Sequence, residues 1–425
     1  MTIQDKAKKA RQSSIYLGAL EAQKKDTALK KIKKELWNQK EAIFKANEED
    51  IQRAKQEKLE DPLIKRLKLD EKKLKGLLEG IDSLLGLEDP VGKVQLQTEL
   101  DTDLVLTRIA CPIGVIGVIF ESRPDALVQI STLCLKSGNA VLLKGGKEAL
   151  QTNKVLTEII TKAASEEMPE GWMALVENRE EVNEMLAMDK QIDLLIPRGS
   201  NAFVSYIMKN TNIPVLGNAD GICHSYVDAA ADLDLAVKVV VDSKAQYVSV
   251  CNALETLLVH ENVAKDFLPK LKTEIEKAGV TLKGCEKTRA IIAAEEATEE
   301  DWRTEYLDYI LSVKVVKSLE EAILHINTYG SGHTDAIITT DEKAMNTFMA
   351  LVDSANVFVN ASTRFSDGFR YGFGAEVGVS TTKIHSRGPV GLEGLLIYKY
   401  KLIGKGHIVG DYASGVKRFT HKRLL

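Results

Sequence analysis

Cysteine, net charge and long apolar sequence are all scarce in this chain. Its 425 residues carry five cysteines (Cys111, Cys134, Cys223, Cys251 and Cys285), odd in number, scattered and never in a CxxC pair. That pattern argues against structural disulfides and a zinc cluster, and leaves each cysteine as a buried small hydrophobe or a reactive thiol. No stretch approaches the roughly 18 apolar residues that span a bilayer; the most apolar run, Pro112 to Phe120, is too short. The amino terminus, Met1 to Lys6, lacks the apolar segment of a secretory signal, so the cytosol is the expected compartment. No charge dominates either. The 57 Lys and Arg against 61 Asp and Glu leave a net −4, which supplies no field to draw in nucleic acid or an acidic membrane. The length suggests two or three domains, with a cleft between them available to a ligand.

What is present begins with amphipathic helices. From Gln4 to about Ser83, Leu29, Ile32, Leu36 and Ile43 fall on one stripe, and Ile64, Leu67, Leu74 and Leu78 on another. The lysines Lys30, Lys31, Lys33 and Lys34 belong to the solvated face and receive no function. After Pro90 the texture changes to short β-rich runs. Leu104 to Ile109 alternates like a half-exposed strand, whereas Val115 to Phe120 is apolar on both faces, as in a buried parallel sheet. Helices and strands then alternate: helix Asp125 to Lys136, strand Ala140 to Lys144, helix Thr152 to Ala164, strand Met173 to Val176, helix Glu180 to Met188. Strand Asp193 to Ile196, helix Asn201 to Lys209 and strand Ile213 to Leu216 continue the series. Such alternation implies a doubly wound sheet, which binds ligands beyond the carboxyl ends of its strands. Further on come helix Leu233 to Ala245, strand Glu255 to His260, and helices Val263 to Ala278 and Leu319 to Ile326. Asn360 to Gly394 is glycine-rich and aperiodic, the texture of a binding-loop system. Leu395 to Ile403 reads as a strand suited to pair with the one at Leu104.

Cys251 is the best nucleophile candidate, because it lies in a connection between a helix and a strand. A thiol there can sit at a cleft among backbone N–H groups; the residue alone is equally compatible with an inert buried thiol. A G-x-G-x-x-G turn after a strand is missing, which disfavours an ordinary Rossmann dehydrogenase. What does follow a buried strand is Lys144-Gly145-Gly146-Lys147, a turn able to meet a ribose or its phosphate, or else one with merely solvated lysines. His224, just before an apolar strand, reads as a hydrogen-bonded histidine near a strand edge.

Six blocks point to a family. They are Pro112-Ile-Gly-Val-Ile-Gly-Val-Ile-Phe-Glu-Ser-Arg-Pro124, Cys134 to Gly146, Ile196-Pro-Arg-Gly-Ser200, Cys251-Asn-Ala-Leu-Glu-Thr-Leu-Leu-Val-His260, Asn360-Ala-Ser-Thr-Arg-Phe-Ser-Asp-Gly368 and Gly372-Phe-Gly-Ala-Glu-Val-Gly378. Together they resemble the glutamate-5-semialdehyde dehydrogenases, or gamma-glutamyl phosphate reductases, of the aldehyde dehydrogenase superfamily. The resemblance implies Cys251 as nucleophile beside Asn252. It places Lys144, Gly145, Gly146 and Lys147 at the adenosine end of NADPH, Gly199 and Ser200 at the nicotinamide, and Glu376 on the nicotinamide ribose. Ser122 stands where related enzymes place an oxyanion-binding asparagine. Asn218 stands where hydrolytic relatives carry the glutamate that activates water, although Asp220 is close enough in sequence to take that part.

The implied reaction is attack of Cys251 on the acyl carbon of L-glutamate 5-phosphate, loss of phosphate, and hydride reduction of the thioester to the semialdehyde, the second step of proline biosynthesis from glutamate. Arg123, Arg198 and Arg364 are candidates for clamping phosphate or α-carboxylate, with Asn360 and Ser362 as further substrate contacts. The expected fold is α/β and aldehyde dehydrogenase-like. It comprises a cofactor domain (1–96 and 112–235), a catalytic domain (236–390), and a two-stranded projection with the tail (97–111 and 391–425). Exposed strand edges on that projection predict a homo-oligomer, at least a dimer. Two other readings stay open: a hydrolytic NAD(P)-dependent aldehyde dehydrogenase, and a catalytically silent binder of the same fold. The sequence leaves undecided whether a glutamate 5-kinase docks, and how strictly NADPH is preferred to NADH.

Overall fold

Two parallel sheets face one another across the functional cleft. The computed structural model describes residues 1–177, 180–217 and 220–425. The first sheet has the order Met173–Leu175, Ala140–Lys144, Val115–Phe120, Leu194–Arg198. Every residue of its two central strands is buried, which is why their sequences are apolar on both faces. The expected strand from Ile213 to Leu216 is reduced to a single parallel bridge between Leu195 and Val215. Helix Pro124–Ser137 follows the Val115–Phe120 strand and ends where Gly138 takes a left-handed φ of 74°.

The amino-terminal helices pack on this sheet and share its core. Leu29, Ile32, Leu36 and Ile43 are all fully buried, but the helix breaks at Gln39, so the stripe continues over Ala22–Asn38 and Lys40–Gln56. Likewise Ile64 and Leu67 lie on Asp61–Leu67, whereas Leu74 and Leu78 lie on Glu71–Gly86. Asp70 caps the latter helix by accepting from the N–H of Lys73 at 3.0 Å.

The second sheet has seven parallel strands. Leu254–His260, Cys223–Val227 and Thr334–Ile338 are adjacent near its middle, and Asn356–Val359 forms one edge. His224 therefore lies on an interior strand, not at an edge as the sequence suggests, because Thr334–Ile338 pairs alongside it. A separate antiparallel sheet joins Leu396–Ile403 to Leu104–Pro112, the pairing that the sequence expects, with Tyr400 opposite Arg108. Val94–Asp101 and the short Lys422–Arg423 extend it, so the projection has four strands rather than two. Among the described residues no helix is long and apolar enough to cross a membrane.

Candidate active site

The carboxyl ends of the first sheet meet the amino ends of the second at a cavity of about 770 Å³. Phe120 and Arg198 close two strands of the first sheet, while Cys251 and His333 lie just before two strands of the second. The crevice is thus where parallel topology places a ligand. Cys251 sits in the turn ahead of Leu254–His260 and is half-buried. A Cβ built on Gly221 would lie 2.6 Å from the Cβ of Cys251, so only glycine lets the Asp220–Gly221 segment cross behind the thiol.

His333 Nε2 lies 3.2 Å from Cys251 Sγ, and its Nδ1 lies 2.8 Å from Thr334 Oγ1. The Nδ1–H tautomer, donating to Thr334, leaves the Nε2 lone pair facing the thiol. Burial pushes the Cys251 thiol up to about 12, with Glu305 and Glu376 adding to the shift and Arg198 opposing it. Burial also lowers His333 to about 4, against the pull of Asp335. The resting pair is therefore a neutral thiol hydrogen-bonded to a neutral imidazole. Cys223 lies behind it, its Sγ donating to the Cys251 carbonyl at 3.2 Å.

Four arginines line the cavity: exposed Arg66, and the three expected ones, Arg123, Arg198 and Arg364. Arg364 is buried and its Nε donates to Gln246 Oε1 at 3.0 Å. Arg123 and Arg198 have no hydrogen-bond acceptor or ion-pair partner for their guanidinium groups among the described residues. Burial and the like charge of Arg123 pull Arg198 below the ordinary guanidinium value, against the carboxylates of Glu376 and Asp125. Two adjacent guanidiniums without a protein partner make an anion site. On the opposite side Asn201 Nδ2 donates to Asp220 Oδ1 at 2.7 Å and Glu305 Oε2 at 2.8 Å, and burial raises Glu305.

The remaining expected residues divide. Glu376 lines the cavity and accepts from the Gly368 N–H at 2.8 Å; burial raises its carboxyl, opposed by Arg198. Gly199 and Ser200 line it too, with the Ser200 N–H donating to Glu121 Oε2 at 3.1 Å. Asn252 lies next to the thiol, and its Nδ2 donates to the Ser366 carbonyl at 2.7 Å, tying the nucleophile turn to the loop that carries Arg364. Ser122, at a left-handed φ of 45°, gives both its N–H and its hydroxyl to Glu148 Oε1, at 2.6 and 2.8 Å. Its hydroxyl thus faces Glu148.

Lys144, Gly145, Gly146 and Lys147 follow the first sheet's Ala140–Lys144 strand as expected, outside the cavity lining. Lys144 Nζ donates to the Gly145 carbonyl at 2.5 Å, and exposed Lys147 pairs with Glu57 at 2.8 Å. Asn360 and Ser362 are not brought to the cavity. Asn360 exchanges two hydrogen bonds with the Thr339 backbone, and Ser362 caps a short turn while meeting Ser243. Asn218 lies outside the described residues. Sequence reasoning missed His333 and Glu305; the only local sign of the former is Gly332-His333-Thr334 opening an apolar run.

The aldehyde dehydrogenase family model matches residues 2–300. Gamma-glutamyl phosphate reductases of Acetivibrio thermocellus and Pelotomaculum thermopropionicum are 63% and 61% identical, spanning 100% of this chain and 99% and 98% of theirs. The chain belongs to the aldehyde dehydrogenase family. Within that family, a crystal structure of gamma-glutamyl phosphate reductase from Thermotoga maritima is 42% identical, with a TM-score of 0.94. It covers 96% of this chain and 100% of that one. Membership of the aldehyde dehydrogenase family implies a nicotinamide cofactor.

Proposed function

We propose that the chain reduces L-glutamate 5-phosphate to L-glutamate 5-semialdehyde and phosphate with NADPH, through a thioester on Cys251, as the second step from glutamate to proline. The observation that carries this reading is a thiol 3.2 Å from an imidazole nitrogen, in a cavity with two guanidiniums that have no partner among the described residues. High identity to proteins named gamma-glutamyl phosphate reductase supports it.

His333 Nε2 takes the thiol proton as Cys251 attacks the acyl carbon, so the transfer is coupled to C–S bond formation instead of preceding it as a free thiolate. Arg198 and Arg364 stabilise the phosphate as the C–O bond breaks and it leaves. The backbone N–H groups of the Cys251 turn are the oxyanion donors, because Ser122 is committed to Glu148. The residues fit a nicotinamide cofactor: the Gly199–Ser200 turn is open to the cavity, and Gly368 fixes the Glu376 carboxylate at its wall. NADPH, when bound, supplies the hydride that converts the thioester to the hemithioacetal. His333 returns its proton to sulfur as that adduct collapses to the aldehyde.

The preference for NADPH is assigned to Lys144 and Lys147, whose ammonium groups suit a 2′-phosphate. Residues 1–96 with 112–216 are assigned to the cofactor domain and the chain from Cys223 up to 390 to the catalytic domain, because Cys223–Val227 belongs to the second sheet and moves the boundary expected at 235 ahead of that strand; 97–111 with 391–425 are the projection and tail. The strand Leu396–Ile403 exposes Tyr398, Tyr400, Leu402 and Ile403 along an open edge, which supports a homodimer or larger assembly. A monomer at all concentrations by light scattering would remove that assignment. A cytosolic setting fits a chain whose thiol must stay reduced.

The test runs the reaction backwards, following NADPH formation from NADP and glutamate semialdehyde with phosphate present and then withheld, beside Cys251→Ser. Dependence on both phosphate and Cys251 is expected. Turnover without phosphate would hand the site to hydrolytic aldehyde oxidation.

A further inference from the structure

A second cavity, of about 390 Å³, opens beside the first and shares with it Arg123, Arg198, Asp367 and Glu376. Its walls are helix Glu71–Gly86 on one side and helix Pro124–Ser137 on the other. Two ligands must approach one sulfur in this reaction; the larger chamber holds that sulfur, and the smaller joins it at the four shared residues. The larger carries the Gly199–Ser200 turn.

The smaller chamber has charges of both signs. Arg123 has no partner for its guanidinium among the described residues. Of the carboxylates, Asp367 accepts from the N–H groups of Phe369 and Arg370, at 3.0 and 3.1 Å, and Glu376 accepts from Gly368. Asp125, in the first turn of Pro124–Ser137, makes no hydrogen bond or ion pair among the described residues; Glu79 stands at the exposed rim. Gly76 and Gly80, one helical turn apart, both line the chamber, and a Cβ on either would meet nothing within 4 Å. The helix thus leaves room where side chains would otherwise project.

A cation and an anion two residues apart, both without partners among the described residues, match the two charges of an α-amino acid. The geometry points to this chamber as the seat of the substrate's amino-acid end, with Arg123 pairing the α-carboxylate and Asp125 the α-ammonium group. The assignment rests on the function proposed above and adds to it the residues that select an amino-acid tail. Arg198, shared by both chambers, is left for the acyl phosphate. The amino-terminal helix, far from the nucleophile in sequence, becomes part of the specificity pocket.

The experiment compares kcat/KM in the phosphate-dependent reverse reaction for three aldehydes. These are glutamate 5-semialdehyde, 5-oxopentanoate, which lacks the amino group, and 4-aminobutanal, which lacks the carboxylate. In Asp125→Asn the preference for glutamate semialdehyde over 5-oxopentanoate is expected to collapse by about 10–100-fold, the worth of a charged hydrogen bond. In Arg123→Gln the preference over 4-aminobutanal collapses similarly. Gly80→Leu, which adds bulk at a position where leucine favours helix, is expected to lower turnover of glutamate semialdehyde at least about tenfold while NADP binding by fluorescence is unchanged. Unchanged preferences in the two charge variants, or full turnover in Gly80→Leu, overturn the chamber assignment. A wild-type protein inactive with all three aldehydes overturns the function reading itself, so the two failures are distinguishable.

Discussion

Two histidines, one on a strand of the seven-stranded sheet and one just ahead of the strand beside it, are alike in burial, and only one is placed to do chemistry. His224 and His333 are both fully buried, and each lies beside a hydrogen-bonding partner. His224 Nδ1 lies 3.2 Å from Asp335 Oδ1, its ring packs edge-on against His325 at 5.5 Å, and the residue is not part of the lining of the cavity that holds Cys251. His333 turns its second nitrogen to a thiol that lines a cavity of about 770 Å³. Burial of a histidine therefore separates nothing here. What separates the two is whether the free nitrogen meets a reactive atom with room for a substrate beyond it.

Cys251→Ser tests the reactive atom itself: turnover is expected to fall by about 10³-fold or more, with cofactor binding by fluorescence retained. Lost cofactor binding would instead mean a disturbed fold. His333→Gln comes next, with kcat lowered about 10²-fold. Its residual rate should climb with pH across pH 6–9 as solvent replaces the internal base, whereas the wild-type profile stays flat. An unchanged rate and profile would remove His333 from the mechanism.

The contrast is completed by His224→Gln. This variant should keep kcat within about twofold while losing about 1–3 kcal/mol of stability in urea titration, because Asp335 loses a buried partner. A fall in kcat as large as that of His333→Gln would erase the distinction between the two residues. The last expectation is a pH dependence of stability common to the buried imidazoles, which leaves turnover aside. Burial depresses His333 to about 4 and His325 to about 2, so each is neutral in the resting folded state at neutral pH. Their stabilising effect is complete above the ordinary value of 6.5 and is lost as pH falls from there towards those values, on the order of 3 kcal/mol for His333. Urea midpoints measured between pH 7 and 4.5 should decline, and less steeply in His333→Gln.

Much of this arrangement is legible in the residues. The fully apolar Val115 to Phe120 and Ala140 to Lys144 segments declare a buried parallel sheet, and the glycine-ended helix between them is equally plain. The pairing of Leu104–Pro112 with Leu396–Ile403 follows from alternation alone. The strand Thr334–Ile338 is harder to read, because Thr334 and Asp335 are fully buried polar residues whose partners include His224 and Asn356 on neighbouring strands. His333 is hidden for the same reason: its partner thiol is 82 residues away in sequence. Asn360 and Ser362 look like ligand-binding residues in a glycine-rich segment, yet their polar groups hold the backbone of neighbouring loops. Local pattern reports which face is buried; it does not report which distant polar group a side chain will meet.

The antiparallel projection carries a consequence for the chain's birth. Leu104–Pro112 leads directly into the first parallel sheet, yet its neighbour Leu396–Ile403 follows roughly three hundred residues later. At translation speeds of about 5–20 residues per second, that interval lasts on the order of 15–60 s. Throughout it, one strand edge of the emerging polypeptide stays uncovered on the ribosome. This protein therefore depends, for a fraction of a minute in each synthesis, on whatever shields an open β edge during translation.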